Sequence, residues 1–290
     1  VSIMETFELR YFLAVAKSES VHRASESLGV SPGSLSKAIG RLEEELDVKL
    51  FLREGRQIKI TEYGRLLQKR ASEIIHLEEA TKAEITGHRG TLHILISGPE
   101  IFLSHFGVSV SQKVREKYPK ATFEFISCDD QKAIEQIQKG EVHLAIVSSA
   151  VPPDLNSTLL GQASFKTCVG LDHEFYPQTS RGKVIPVEDV LQKSFVSPSN
   201  PVLGAVGHKQ SLDGWRDDKF PRQVDYLASS LKLLEQIVSQ GLAIAYLPDY
   251  LIKPLNLKIL EISGCPYSCT QKIKLVTRNP NEISWIKQVF

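Results

Sequence analysis

The chain has 290 residues, longer than one ordinary domain and enough to bury two or three separate cores. Hydrophobic residues make up 42% and charged residues 24%, and the formal net charge is +1, which marks a globular, nearly neutral protein. No apolar run approaches the roughly 18 residues of a membrane span, and Val1 to Phe12 carry no basic segment followed by a hydrophobic one. Four scattered cysteines, Cys128, Cys168, Cys265 and Cys269, make no secreted disulfide framework, so the expectation is a cytoplasmic protein with reduced thiols.

From Phe7 to about Gly87 the pattern is helical. Two helix-like runs flank the small hinge Leu28-Gly29-Val30-Ser31. Val21, Ala24, Ser25 and Leu28 pack the first run. The second opens on Ser31-Pro32, a strong start signal, because the Ser oxygen takes an orphan amide and Pro has none to lose. Leu35, Ile39, Leu42 and Leu46 then form its buried stripe, leaving Gly33, Lys37, Gly40, Arg41 and Glu44 outward. The result is a helix-turn-helix whose second helix is free to enter a major groove. An ordinary helical hairpin has the same spacing.

The segment KLFLREGRQIKITEYG follows, and the alternation of Ile58 and Ile60 around Gly55 predicts a two-stranded wing. Residues 49 to 70 hold Lys49, Arg53, Arg56, Lys59, Arg65, Lys69 and Arg70 against Glu54 and Glu62 only, and phosphates are the natural partner for such a cluster. Residues 1 to 88 carry 13 basic and 14 acidic side chains in total, so only a local face can hold DNA.

Residues 62 to 87 read as one long helix with Leu66, Leu67, Ala71, Ile74, Ile75, Leu77 and Ile85 on an apolar stripe, either a dimer seam or a face laid on its own domain. Past TGHRGT, short apolar strands alternate with helices, which implies a parallel-type α/β sheet. Two such sets create a cleft, and in open α/β sheets ligands bind beyond the carboxyl ends of the strands, near helix amino termini. Those ends carry Ser97, Gly98, Pro99 and Glu100; Ser127 and Cys128; Ser148; Ser197 and Ser199; and Ser229. Serines also cap helices, so their shared location is the argument rather than any one of them. Glu100 either favours its own helix dipole or faces a neutral or cationic ligand.

The stretch FELRYFLAVAKSESVHRASESLGVSPGSLSKAIGRLEEELDVKLFLREGRQIKITEYG resembles the winged helix-turn-helix of LysR-type transcriptional regulators. QKGEVHLAIV and LEQIVSQGLAIAYLP are similar to two hallmark stretches of that family's effector domain, so the resemblance covers nearly the whole chain. It implies that Pro32, Gly33, Ser36 and Lys37 approach base edges. Ser31, Ser34, Arg41, Lys59 and Thr61 join the expected DNA-binding set, and Arg53 and Arg56 match wing positions that hold phosphates. Pro32 and Gly33 depart from the usual Gln-Pro or Gln-Ser pair, and Ala38 replaces another common Gln, so a bidentate Gln to adenine is unavailable.

The resulting expectation is an α + α/β protein. It has a winged helix-turn-helix at 1–64, a linker and dimerisation helix at 65–90, and an effector domain at 91–290 resembling periplasmic binding proteins. That domain comprises subdomain I at 91–162 and 266–290 and subdomain II at 163–265. Its partners are double-stranded DNA with an inverted-repeat operator, a small-molecule effector and further copies of itself as a homodimer or homotetramer, with RNA polymerase as a further contact. No cofactor, metal or catalytic residue is expected: Cys265 and Cys269 lack further zinc ligands nearby, and no phosphate loop or nucleophile elbow appears. The competing reading is a cytoplasmic small-molecule binding protein without operator-specific DNA binding.

Overall fold

The structure, a computed structural model, describes residues 4–54, 57–85, 92–206, 211–265, 267–278 and 286. Arg56, the TGHRGT break with the end of the expected linker, and most of the chain beyond residue 278 lie outside the described residues.

Three helices open the chain: α1 (Thr6–Ser18), α2 (Val21–Leu28) and α3 (Pro32–Leu46). Each boundary has a local cause. Glu8 reaches back to the Glu5 amide at 3.2 Å, Ser20 accepts from the Arg23 amide at 3.3 Å, and Ser31 accepts from the Ser34 amide at 3.1 Å. Gly29, at φ 65°, takes the left-handed turn between α2 and α3. Leu9, Phe12, Leu42 and Leu50 form one cluster, and Val15, Ala24, Leu35 and Ile39 a second. The buried stripe of α3 is therefore Leu35, Ala38, Ile39 and Leu42. Leu46 and Leu28, expected inside, are 40% and 37% exposed, because each is the last residue of its helix and lies past the packed turns.

Strands β1 (Phe51–Glu54) and β2 (Gln57–Ile60) form the antiparallel wing, with Phe51 opposite Ile60. Helix α4 (Glu62–Ile85) leaves it. The two alternatives for its apolar stripe are divided between faces. Ala71 and Ile75 pack into the core with Leu9 and Phe12, while Leu66, Ile74, Leu77 and Ile85 stay exposed.

The remaining chain builds two lobes. The first contains β3 (His93–Gly98), α5 (Glu100–Phe102), a π turn leading into α6 (Val108–Lys117), β4 (Thr122–Ser127), α7 (Asp130–Lys139) and β5 (Leu144–Val147). Strand β6 (Asn156–Val169) then leads to the short α8 (Tyr176–Ser180), β7 (Ile185–Pro186) and α9 (Val187–Leu191). These are followed by β8 (Ser194–Pro198), β9 (Gln223–Ala228), α10 (Leu231–Ser239), β10 (Ala245–Pro248), β11 (Lys258–Ile259), β12 (Ile262–Ser263) and β13 (Thr270–Thr277).

The main sheet runs β10-β6-β13-β5-β3-β4, with β11 also on β6. It is mixed, not parallel throughout. Only β3 with β4 and β5 is parallel in this sheet, whereas β13 lies antiparallel to β5 and β6. A separate parallel pair, β8 with β9, belongs to the second lobe. Strand β6 runs unbroken through residue 163 and pairs with β13 from Ser164 to Asn156, so the boundary expected there falls inside a strand. Two long strands rather than loops join the lobes, and the hydrophobic cluster that includes Ile96, Phe102, Phe165, Trp215 and Tyr246 is continuous across them.

Helix α4 also docks on the first lobe. Buried Ser72 lies against Lys139, the His76 ring stands 4.0 Å from His143, and Arg278 Nη2 is 2.7 Å from His76 Nδ1.

Candidate DNA-reading face and effector cavity

The front of α3 is displayed as expected. Ser31, Pro32, Gly33, Ser34, Ser36 and Lys37 are all exposed. Ser31 and Ser34 are occupied with each other, their hydroxyls 2.8 Å apart, so they shape the turn before they meet anything else. Ser36 and Arg53 line one groove of about 400 Å³ between α3 and the wing. Glu43 fixes that groove from below: its carboxylate accepts from the Leu50 amide at 2.9 Å, the Phe51 amide at 3.2 Å and Lys49 Nζ at 2.6 Å.

Two expected DNA contacts are spent inside the domain. Arg41 pairs with buried Glu8 at 2.8 Å and lies over the Phe7 ring, so it ties α3 to α1. Thr61 Oγ1 donates to the Lys49 carbonyl at 2.6 Å and accepts from the Gly64 amide at 2.9 Å, closing the wing and starting α4. Outward spacing in a helix does not reveal that a neighbouring helix supplies a buried acid, which is why Arg41 read as free. Lys59 is exposed and shares a second groove, about 330 Å³, with Arg23 and Arg65. Arg23 was not singled out in the sequence; its signal is a basic side chain in the first turn of α2, immediately after the Ser20 cap.

In the sensor lobes a cavity of about 240 Å³ lies between Pro99, Glu100, Ser127, Cys128 and Asp129 on one side and Asn200, Pro201, Val202 and Ser229 on the other. Five expected residues, Pro99, Glu100, Ser127, Cys128 and Ser229, thus converge. Glu100 Oε2 crosses to the Leu231 amide, the first of α10, at 3.4 Å. Ser97 lies fully buried and, among the described residues, has no partner other than the neighbouring Cys128 thiol, whose pKa burial pushes up. Gly98, at φ 153°, is structural, since a side chain there would strike the Ile146 carbonyl.

Ser148, Ser197 and Ser199 do not line this cavity. Ser148 belongs to a tie beside it: Asp130 Oδ1 accepts from the Ser148 hydroxyl at 3.0 Å and the Ser149 amide at 2.9 Å, and Asp130 Oδ2 from the Ala205 amide at 3.0 Å. Gln271 Nε2 completes the tie by donating to the Leu203 and Ala205 carbonyls at 2.9 and 3.1 Å. Ser197 is buried in β8, and the exposed Ser199 donates its amide to Ala228. Among the described residues no three His, Cys, Asp or Glu side chains converge as metal ligands.

A winged helix-turn-helix joined through a long helix to a two-lobed sensor with a cavity at the lobe junction defines a ligand-responsive DNA-binding regulator. Residues 7–65 match the bacterial regulatory helix-turn-helix protein, lysR family, and residues 86–284 match the LysR substrate binding domain. The chain belongs to the LysR family of transcriptional regulators. It is 29% identical over 260 residues to the transcriptional dual regulator GltC of Bacillus subtilis, covering 85% of this chain and 81% of that one. It is 26% identical over 282 residues to BsdA of the same organism, covering 93% of each. Full-length OxyR of Pseudomonas aeruginosa has the same fold, with a TM-score of 0.66 at 17% identity over 99% of this chain and 93% of that one. Its DNA-binding and effector-binding halves make this chain a transcriptional regulator. No helix among the described residues is long and apolar enough to cross a membrane.

Proposed function

We propose that DNA sequence is read by Ser36 and Lys37 on α3, with Gly33 allowing close backbone approach, and that Arg53, Lys59 and Arg23 hold the flanking phosphates. The observation that carries this is the groove shared by Ser36 and Arg53: it sets a base-reading surface beside a phosphate-holding strand, the arrangement that docking in a major groove requires. The exposed side of α4, with Leu66, Leu77 and Ile85, pairs with a second copy, and a two-fold dimer matches an inverted-repeat operator. The effector occupies the cavity around Glu100, Ser127 and Ser229. The protein acts on DNA in the cytoplasm, contacts RNA polymerase there, and has no catalytic role.

Selection from a random double-stranded DNA pool at near-physiological salt tests this reading. Enrichment of an interrupted inverted repeat is expected. Retention of bulk DNA without any enriched sequence overturns it in favour of a small-molecule binding protein.

A further inference from the structure

The cavity at the lobe junction contains two carboxylates, Glu100 and Asp129, and among the described residues that line it none is a lysine or arginine. A neighbouring pocket that shares Asp129 and Pro201 repeats the pattern, adding Asp130 and Glu135. Two backbone amides at the neighbouring helix starts, those of Lys132 and Leu231, are taken by the chain's own carboxylates rather than left for an anionic ligand. Asp129 accepts from the Lys132 amide at 2.8 Å, Asp130 from the Ser149 and Ala205 amides, and Glu100 from the Leu231 amide.

The cations closest in sequence are paired with acids on their own helices: Lys132 lies 4.0 Å from Glu135 and Lys232 3.8 Å from Glu235. Glu235, one turn into α10, has its pKa raised mainly by burial, with the Glu100 charge adding to it. An entering carboxylate would meet like charge in a partly desolvated site where two of the helix-start amides are already taken, which weakens binding.

We propose that the effector carries a cationic nitrogen, an ammonium or guanidinium, and that Glu100 is the group that reads this charge. The proposal rests on the assignment of this cavity as the effector site. The other lining groups suit such a ligand. Ser127 and Ser229 offer hydroxyl oxygens, and Asn200, whose amide nitrogen donates to the Ser229 carbonyl at 3.2 Å, keeps its oxygen as an acceptor. Buried Ser97, partnered among the described residues only by the Cys128 thiol, adds an oxygen beneath the lining. A volume near 240 Å³ holds about eight waters at roughly 30 Å³ each, the size of a small amine or amino acid.

The test uses three four-carbon probes of matched length, butane-1,4-diamine, butane-1,4-diol and succinate, each titrated into the full-length protein to about 10 mM, where even weak fragment binding registers. Thermal shift and calorimetry are read for wild type, Glu100→Gln and the cavity-filling Ser229→Leu. The expected result is binding of the diamine only, weakened at least about tenfold by either substitution, with both variants keeping the wild-type melting temperature in the absence of ligand to within a few degrees. Succinate binding that Ser229→Leu abolishes and Glu100→Gln spares overturns the charge assignment but leaves the cavity as the effector site. Diamine binding that survives both substitutions overturns the cavity assignment as well. Absence of diamine binding overturns the proposal, whatever the other probes do.

Discussion

Asp130 on α7 of the first lobe accepts a hydrogen bond from the Ala205 amide of the second, 3.0 Å away. The same carboxylate holds the Ser149 amide and the Ser148 hydroxyl, and it is 5% exposed, so one buried acid fixes both the turn after β5 and the strap that carries Asn200, Pro201 and Val202 to the cavity. Asp130→Ala leaves these buried donors without an acceptor and is expected to cost about 2–4 kcal/mol. Asp130→Asn keeps one oxygen and costs less. Urea denaturation gives the loss, and hydrogen exchange should speed up at the Ser149 and Ala205 amides before it does in β3. Unchanged exchange at Ala205 would show that the strap is held by Ser148 and Gln271 without Asp130.

Salt dependence separates residues that touch phosphate from residues that hold the domain together. Arg53→Ala should weaken binding to all DNA sequences alike and lower the slope of log K against log salt by about one. Arg41→Ala should leave that slope unchanged and lower the melting temperature, because it leaves Glu8 buried without its ion partner. Thr61→Val should behave like Arg41→Ala, at a cost of about 1–2 kcal/mol for the lost helix cap. A reduced slope for either of the last two variants would return that residue to the DNA face. Lys37→Ala is expected to change which sequences are preferred.

The DNA half was legible because its signals are local. Ser31-Pro32 start α3 where they stand in sequence, Gly29 turns the chain, and the apolar alternation around residue 58 gives the wing. What stayed hidden depends on partners distant in sequence. Arg41 finds Glu8, and Ser148 finds Asp130 and Ala205, across distances no window of the chain reports. The sheet shows the same limit. Strand-helix alternation captures β3, β4 and β5, and residues 266–290 are expected in the same subdomain, but not that β13, from residues 270–277, closes the sheet antiparallel to β5. The boundary placed near residue 163 falls within β6, which carries no turn signal there beyond Gly161; the strand pairs with β13 up to Ser164 and with β10 from Phe165. In the cavity, listing strand ends found Glu100, Ser127, Cys128 and Ser229, while Ser197 and Ser199 required knowledge of which way β8 faces.

The exposed side of α4 offers a direct test of self-association. Leu66 and Leu77 are 61% and 54% exposed, on a helix whose other side already packs against Leu9 and Phe12. Leu66→Glu with Leu77→Glu should shift the protein towards monomer in analytical ultracentrifugation with little change in monomer stability, since neither side chain contributes to the described core. An unaltered sedimentation coefficient would assign the seam to another face.

Acid sensitivity follows from the contact between α4 and the first lobe. Burial holds the His143 pKa down to about 3, helped by Arg278 and His93, and also drives that of His76 well below its usual value, helped by His143, Arg278 and Arg10. Both imidazoles are neutral in the folded protein, whereas in the unfolded chain they protonate near pH 6.5. Unfolding therefore takes up protons as the pH falls, so the stability these histidines contribute is complete above about pH 6.5 and is lost progressively below it, for His143 down to about pH 3. Each costs about 1.4 kcal/mol for every pH unit below 6.5. Melting temperatures at pH 7.5 and 5.5 should differ by several degrees. His143→Asn, whose side-chain oxygen can replace Nδ1 as acceptor for the Leu95 amide, should narrow that gap. His105 and His173, also lowered by burial, contribute to the remaining slope in both proteins. A gap of the same size in His143→Asn would move the acid sensitivity off His143 and onto His76 or those two sites.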